Sequence, residues 1–168
     1  MIQYQFFPRS LEMSEQMTAI VRCFERIDVK IASEKHTLPS NEVLMHMKPE
    51  LEKIGFKVEA GKRAEPKIKV AVLFGLNNRI EKYFDADAVS RDGSVVLEIE
   101  AGRAVDNFHF LKDIFEASMM SGVDFLVLAV RNRYRSGRDF QKVYAFLETM
   151  FVSGRISLPL KGILLVGY

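Results

Sequence analysis

Two acidic pairs, Asp85-Ala-Asp87 and Glu98-Ile-Glu100, are the part of this sequence whose residue types and spacing could do chemistry. Residues Tyr83 to Ala101 read as a β-hairpin. A two-residue turn at Asp92-Gly93 would oppose Arg91 to Ser94, Val89 to Val96, Asp87 to Glu98 and Asp85 to Glu100. Opposed residues share a sheet face, so the four carboxylates converge. Phe84, Ala86, Ala88, Val95, Leu97, Ile99 and Ala101 form the other, core-facing side. Two unit charges ~5 Å apart at an effective dielectric of ~20 repel by roughly 3 kcal/mol. Protonation, a nearby Lys or Arg, or a bound divalent cation relieves that repulsion, and an all-oxygen donor set suits Mg²⁺ or Mn²⁺ better than Zn²⁺. A solvated outer face is the plain alternative, but Val89 and Val96 on that face make it an acidic patch beside an apolar wall.

The elements that must position these acids follow from periodicity. Leu11 to Ser33 has helical spacing, with Met13, Met17, Ile20, Val21, Phe24 and Ile27 on one stripe. Ser40 reads as the cap of a second helix carrying Val43, Leu44, Met47, Leu51 and Ile54, interrupted by Pro49 and ended by Gly55. Phe56 to Glu59 and Lys67 to Phe74 read as strands on either side of the connection Ala60 to Pro66. After the hairpin, Arg103 to Ser121 predicts a helix with Val105, Phe108, Leu111 and Phe115 on one face and Phe110 and Ile114 on another. Val123 to Val130 predicts a central strand, Asp139 to Val152 a helix and Lys161 to Gly167 a final strand. The expected class is α/β, an α+β-like mixed sheet flanked by helices, forming one domain over residues 1–168 with an N-terminal helical segment at about 1–36.

Composition bounds the function. Net charge is +2, so any nucleic-acid surface must be local rather than global. The single cysteine, Cys23, excludes an internal disulfide and a cysteine-based zinc site, and sits in a helix-core pattern. His36, His46 and His109 lack metal-ligand spacing, and no P-loop or Gly-x-Gly-x-x-Gly fingerprint implies an organic cofactor. A cytoplasmic protein without a membrane span is expected.

The acidic hairpin, its preceding helix, its strand meander and its following helix, strand and helix together resemble the PD-(D/E)xK restriction-endonuclease-like superfamily. The motif residues are Asp87, or Asp85, followed by Glu98-Ile-Glu100, an E-x-E variant in which Glu100 stands where the family places lysine and Phe84 where it places proline. The resemblance spans roughly residues 40–152 in organisation. It implies a restriction-endonuclease-like core and a Mg²⁺- or Mn²⁺-dependent DNA endonuclease similar to type II restriction enzymes, acting on both strands as a homodimer. It also implies Asp87 and Glu98 as metal ligands, with Asp85 and the Ile99 carbonyl as further donors, Glu100 orienting or deprotonating water, and Glu42 as the helix acid, with Glu50 and Glu52 as alternatives. The rival reading is a nuclease-fold module that has lost catalysis and binds nucleic acid or protein.

For nucleic-acid contact the candidates are Arg103 and Asn107, spaced i to i+4 after the second acidic strand, and the loop Arg131-Asn-Arg-Tyr-Arg-Ser-Gly-Arg138. Arg103 is equally read as a salt-bridge partner of the acids. Within the loop, Arg131, Arg133, Arg135 and Arg138 offer planar forks for phosphate and Tyr134 a stacking surface, against the alternative of a solvated loop. Lys67 and Lys69 share a strand face that widens the positive surface or protects an edge.

Overall fold

A computed structural model describes residues 1–60, 67–102, 104–105 and 108–168. A six-stranded sheet runs through the molecule in the order β1-β8-β7-β6-β5-β2, built from β1 (Gln3–Phe7), β2 (Phe56–Val58), β5 (Ala88–Ser90), β6 (Val95–Glu100), β7 (Phe125–Val130) and β8 (Gly162–Gly167). Strands β6, β7 and β8 are parallel, and β5, β2 and β1 join antiparallel. The expected mixed sheet flanked by helices is therefore present. β7 and β8 read as unbroken apolar runs because both of their faces are covered.

One face is covered by α1 (Glu15–Ile31) and α2 (Ser40–Lys53), whose Met17, Phe24, Met47 and Leu51 pack with Leu97 and Val127. The other carries α3 (His109–Met119) and α4 (Asp139–Ser153), whose Phe110, Ile114, Val143 and Leu147 pack with Val96, Leu126 and Leu128. Ser14 starts α1 by accepting the Met17 amide at 3.2 Å, so the helix begins at Glu15 rather than at the expected Leu11. At α2 the cap position is Pro39, whose carbonyl accepts the amides of Glu42 and Val43, and Ser40 is the first helical residue rather than the cap. Among the described residues no helix is long and apolar enough to cross a membrane.

Three expectations are corrected. The first residues form strand β1 rather than part of a helical segment, because Phe6 and Phe7 enter opposite core layers and leave no alternation to read. The inward face of α3 is Phe110, Asp113, Ile114 and Ala117, whereas Phe108 and Phe115 are exposed. The third concerns the hairpin. Strand β4 (Ile80–Ala86) leaves the main sheet and pairs with β3 (Ile68–Phe74) in a separate two-stranded arm, where Asp85 opposes Lys69 instead of Glu100. The expected register holds only from Ala88 onward, with Ala88 opposite Leu97 and Val89 opposite Val96. Phe84 and Ala86 consequently pack toward the α3 side, the opposite layer from Ala88, Leu97 and Ile99. The turn also differs: only Gly93 has a positive φ, 77°, and its amide bonds the Ser90 carbonyl at 2.9 Å, so this is not the mirror-image turn in which Asp92 would be left-handed too.

Candidate active site

Asp87 occupies the break between β4 and β5. In an antiparallel ladder every second residue of β6 directs its N–H and C=O toward β5, and after Leu97 the next such residue is Ile99. The chain has left the sheet at that point, and the Asp87 carboxylate takes the place of the missing strand by accepting the Ile99 amide at 2.9 Å. Its own carbonyl accepts the Glu59 amide at 2.9 Å, which extends β2 by one residue. Asp87 is thus fixed from both sides. The Ile99 carbonyl leaves β6 on the same edge as its amide and therefore faces Asp87.

Alternation in β6 sends Glu98 and Glu100 to the α3 side, opposite Leu97 and Ile99. A cleft of about 250 Å³ opens there between the sheet, α3 and the β3–β4 arm. Six carboxylates line it, those of Glu59, Asp85, Asp87, Glu98, Asp113 and Glu116, against the two ammonium groups of Lys67 and Lys112. Lys67 lies 3.6 Å from Asp85 and Lys112 lies 3.0 Å from Glu116, so the cations serve the rim. Inside, burial pushes the Asp87 carboxyl up to about 6 against the pull of the Ile99 amide, with Glu59 and Glu100 adding repulsion. Burial, then Asp87 and Asp113, holds Glu98 well above the usual carboxylate range. Asp113 is raised to about 8 by burial and next by Glu100. Carboxylates crowded in low dielectric retain protons until a cation replaces them.

The structure brings Asp85, Asp87 and Glu98 to one cleft; Ile99 and Glu100 do not line it, although Ile99 donates its amide to Asp87 and Glu100 is close enough to act on Asp87 and Asp113. Asp85 arrives from the arm rather than from across the hairpin. Glu42 is not brought there: it is on the first turn of α2 and does not line the cleft. Glu50 bonds Arg26 and Lys53, and Glu52 pairs with Lys48. Sequence reasoning missed Glu59 and Asp113, both 7% exposed. Asp113 was legible as a lone acid on the stripe Phe110, Ile114, Ala117.

Arg103 and Asn107 lie outside the described residues. In the basic loop, Arg131 is 4% exposed, and its guanidinium is held by the Leu38 carbonyl, by Tyr168 and by the Tyr134 ring 5.2 Å away. Tyr168 donates its hydroxyl to the Glu100 carbonyl at 3.1 Å, so Arg131 supports the end of β6 from inside the protein rather than facing solvent. Tyr134 lies over Gly102, where a Cβ would sit 2.4 Å from the ring. Arg133, Arg135 and Arg138 lie on the loop that follows β7, at the carboxyl ends of the parallel strands, the edge at which open α/β sheets bind ligands.

The donors are all oxygen, burial holds the Glu98 carboxyl well above its usual range and pushes Asp113 up to about 8, and the Oδ2 atom of Asp113 is buried with no hydrogen-bond partner. That chemistry fits a hard divalent cation. Among the described residues no three His, Cys, Asp or Glu side chains are already gathered at ligand spacing, so the side chains must close to bind one.

No family model and no curated protein matches the chain. Among solved structures it is similar to free BglII, a restriction endonuclease, with a TM-score of 0.50 and 10% sequence identity, over 99% of this chain and 78% of that one. The chain has a restriction-endonuclease-like fold.

Proposed function

We propose that this protein is a divalent-metal-dependent DNA endonuclease that hydrolyses phosphodiester bonds, of the PD-(D/E)xK kind in an E-x-E variant and similar in type to type II restriction enzymes. The observation that carries the reading is the placement of Asp87 at the sheet break, bonded to the Ile99 amide, in one acidic cleft with Glu98. Asp87, Glu98 and the Ile99 carbonyl would hold Mg²⁺ or Mn²⁺, with Asp85 from the arm as a further donor. A cation bound there supplies the charge that acidifies water and balances the phosphate oxygens as in-line displacement proceeds.

The chain's own residues do the rest. Glu100, on the same face as Glu98 and two residues further, orients the attacking water and takes its proton; as a carboxylate in the lysine position it works as a base and not as a positive charge. Lys67 and Lys112 at the cleft rim offset part of the acidic field that would repel the DNA backbone. Arg133, Arg135 and Arg138, exposed on the loop after β7, would hold phosphates, with Tyr134 in the same loop. A subunit with one such cleft cuts one strand, so a homodimer would present two clefts to the duplex.

The test is cleavage of supercoiled plasmid and of single-stranded DNA with Mg²⁺ or Mn²⁺ by wild type, Asp87→Asn and Glu98→Ala. The expected result is metal-dependent nicking and linearisation by wild type alone. DNA binding without cleavage by wild type under any of these conditions overturns the nuclease reading in favour of a binding module on the same fold. Equal cleavage by the variants assigns the activity to another site.

A further inference from the structure

Asp113 stands on the buried stripe of α3 between Phe110 and Ala117, next to Ile114, where the packing alone calls for an apolar side chain. It is 7% exposed, and its Oδ2 is shielded from water with no hydrogen-bond partner. Burying a carboxyl oxygen unpaired is costly, and native proteins rarely leave one so. The side chain lines the same cleft as Asp87 and Glu98, its charge acts on Glu98 from the α3 side, and its carboxyl hydrogen-bonds the Glu100 side chain, which leaves Oδ2 as the oxygen without a partner. The adjacent ammonium answers it only through its field, because Lys112 makes its ion pair with Glu116, 3.0 Å away. A carboxyl on the wall of an acidic cleft with one oxygen left without a partner is what a hard cation completes.

We propose that Asp113 is a carboxylate ligand of a divalent cation in this cleft, on the α3 side of Glu98 and across from the Asp87 and Ile99 donors. The inference rests on the reading of the cleft as a Mg²⁺ or Mn²⁺ site and adds to it a ligand from a helix that the acidic hairpin motif does not contain. Cation binding then ties α3 to β6. The hydrogen bond to Glu100 alone leaves the Asp113 Oδ2 without a partner; ligation gives that atom one.

Mn²⁺ binding decides the matter without reference to activity. Free Mn²⁺ is followed by electron paramagnetic resonance during titration of wild type, Asp87→Asn and Asp113→Asn, each with and without a DNA duplex. Asp113→Cys is titrated with Cd²⁺ and watched for thiolate-to-metal charge transfer in the ultraviolet, since a soft ligand at a true ligand position takes a soft metal. Wild type is the control for Cys23, a buried thiol that burial pushes up to about 11. The expected result is at least tenfold weaker Mn²⁺ binding by Asp113→Asn, with cooperative melting retained in chelator, and a Cd²⁺ charge-transfer band unique to Asp113→Cys. Wild-type affinity in Asp113→Asn alongside lost affinity in Asp87→Asn overturns the Asp113 assignment and leaves the cation site standing. Absence of the band from Asp113→Cys overturns the assignment even where Asp113→Asn fails to fold. Absence of Mn²⁺ binding by wild type, with and without DNA, overturns the cation site and Asp113's role together.

Discussion

The Asp87 carboxylate accepts the Ile99 amide at 2.9 Å and so closes the β5–β6 ladder with a side chain where a backbone carbonyl would otherwise stand. This bond separates two roles of one residue. Asn keeps an acceptor for the amide but loses the charge, whereas Ala leaves a shielded N–H without a partner. An unsatisfied buried donor costs about 1–3 kcal/mol. Asp87→Ala is therefore expected to be less stable than Asp87→Asn by about that amount, and both are expected to lose cleavage. Urea denaturation in chelator measures the difference; equal stabilities would mean that the bond does not hold the ladder end.

The crowded acids make the metal-free protein sensitive to alkali. Asp113 is raised from 3.8 to about 8 and Asp87 from 3.8 to about 6, and Glu98 is raised as well. A group whose folded pKa lies above its unfolded value contributes stability that is complete below the unfolded pKa and is lost as pH rises through the folded one. Here the window runs from about 4 to about 8 for Asp113. The groups facing it are Glu98, Glu100, Asp87, Lys112 and Glu116. In chelator the melting temperature should fall from this cluster as pH rises through that window, and Asp113→Asn should flatten the upper part of the fall. Mg²⁺ should raise the melting temperature more at pH 8 than at pH 5, because the cation competes with protons for the same oxygens. A metal effect independent of pH would contradict ligation by these carboxylates.

Much of this arrangement was written locally, and the exceptions have physical reasons. Val89 and Val96 face each other because the alternation of Ala88 to Ser90 against Val95 to Leu97 admits one register with an apolar core side. Nothing local announces that the chain quits the sheet between Ala86 and Ala88, since Phe84, Ala86 and Ala88 keep the same spacing while packing in opposite layers. The departure is decided by β3, which offers β4 a longer partner than β6 has left. Asp113 was legible as a polar residue on an apolar stripe, but its importance comes from the acids on β6, a tertiary fact. Glu59 was less legible still, since Lys57 shares its strand parity and is exposed.

Glu100→Gln separates proton transfer from fold. The substitution preserves shape and polarity but removes the base, and general-base catalysis contributes typically about 10²–10⁴-fold. The expected loss in cleavage rate falls in that range, with DNA affinity changed by much less. Single-turnover cleavage under saturating DNA measures it, and an unchanged rate would remove Glu100 from water activation.

Gly102 tests the support behind the acidic strand. Its φ of +92° disfavours any side chain, and a Cβ there would come within 2.4 Å of the Tyr134 ring. Gly122 also has a positive φ, +80°, but a Cβ there meets nothing within 4 Å. Gly122→Ala therefore carries the backbone strain alone, on the order of 1 kcal/mol. Gly102→Ala adds displacement of Tyr134, and should lower the melting temperature further and reduce cleavage with it. Equal melting temperatures for the two variants would show that Tyr134 moves freely and does not brace the end of β6.

The basic loop divides by burial, and salt dependence reads the division. Removing one protein–phosphate ion pair reduces the slope of log affinity against log salt by about 0.9 on duplex DNA. Arg133, Arg135 and Arg138 are not buried, so replacing them with Gln one at a time should weaken DNA binding, lower that slope by up to about one unit each and leave the melting temperature unchanged. Arg131 is expected to behave in the opposite way. Its guanidinium is buried among Leu38, Tyr134 and Tyr168. Breaking such a set by removing one member strands buried polar groups, so Arg131→Ala should lower the melting temperature and loosen the Tyr168 bond to the Glu100 carbonyl. Fluorescence anisotropy across a salt series, paired with thermal melting, tests both halves. A slope change from Arg131→Ala with no loss of stability would place that guanidinium on DNA instead of in the core.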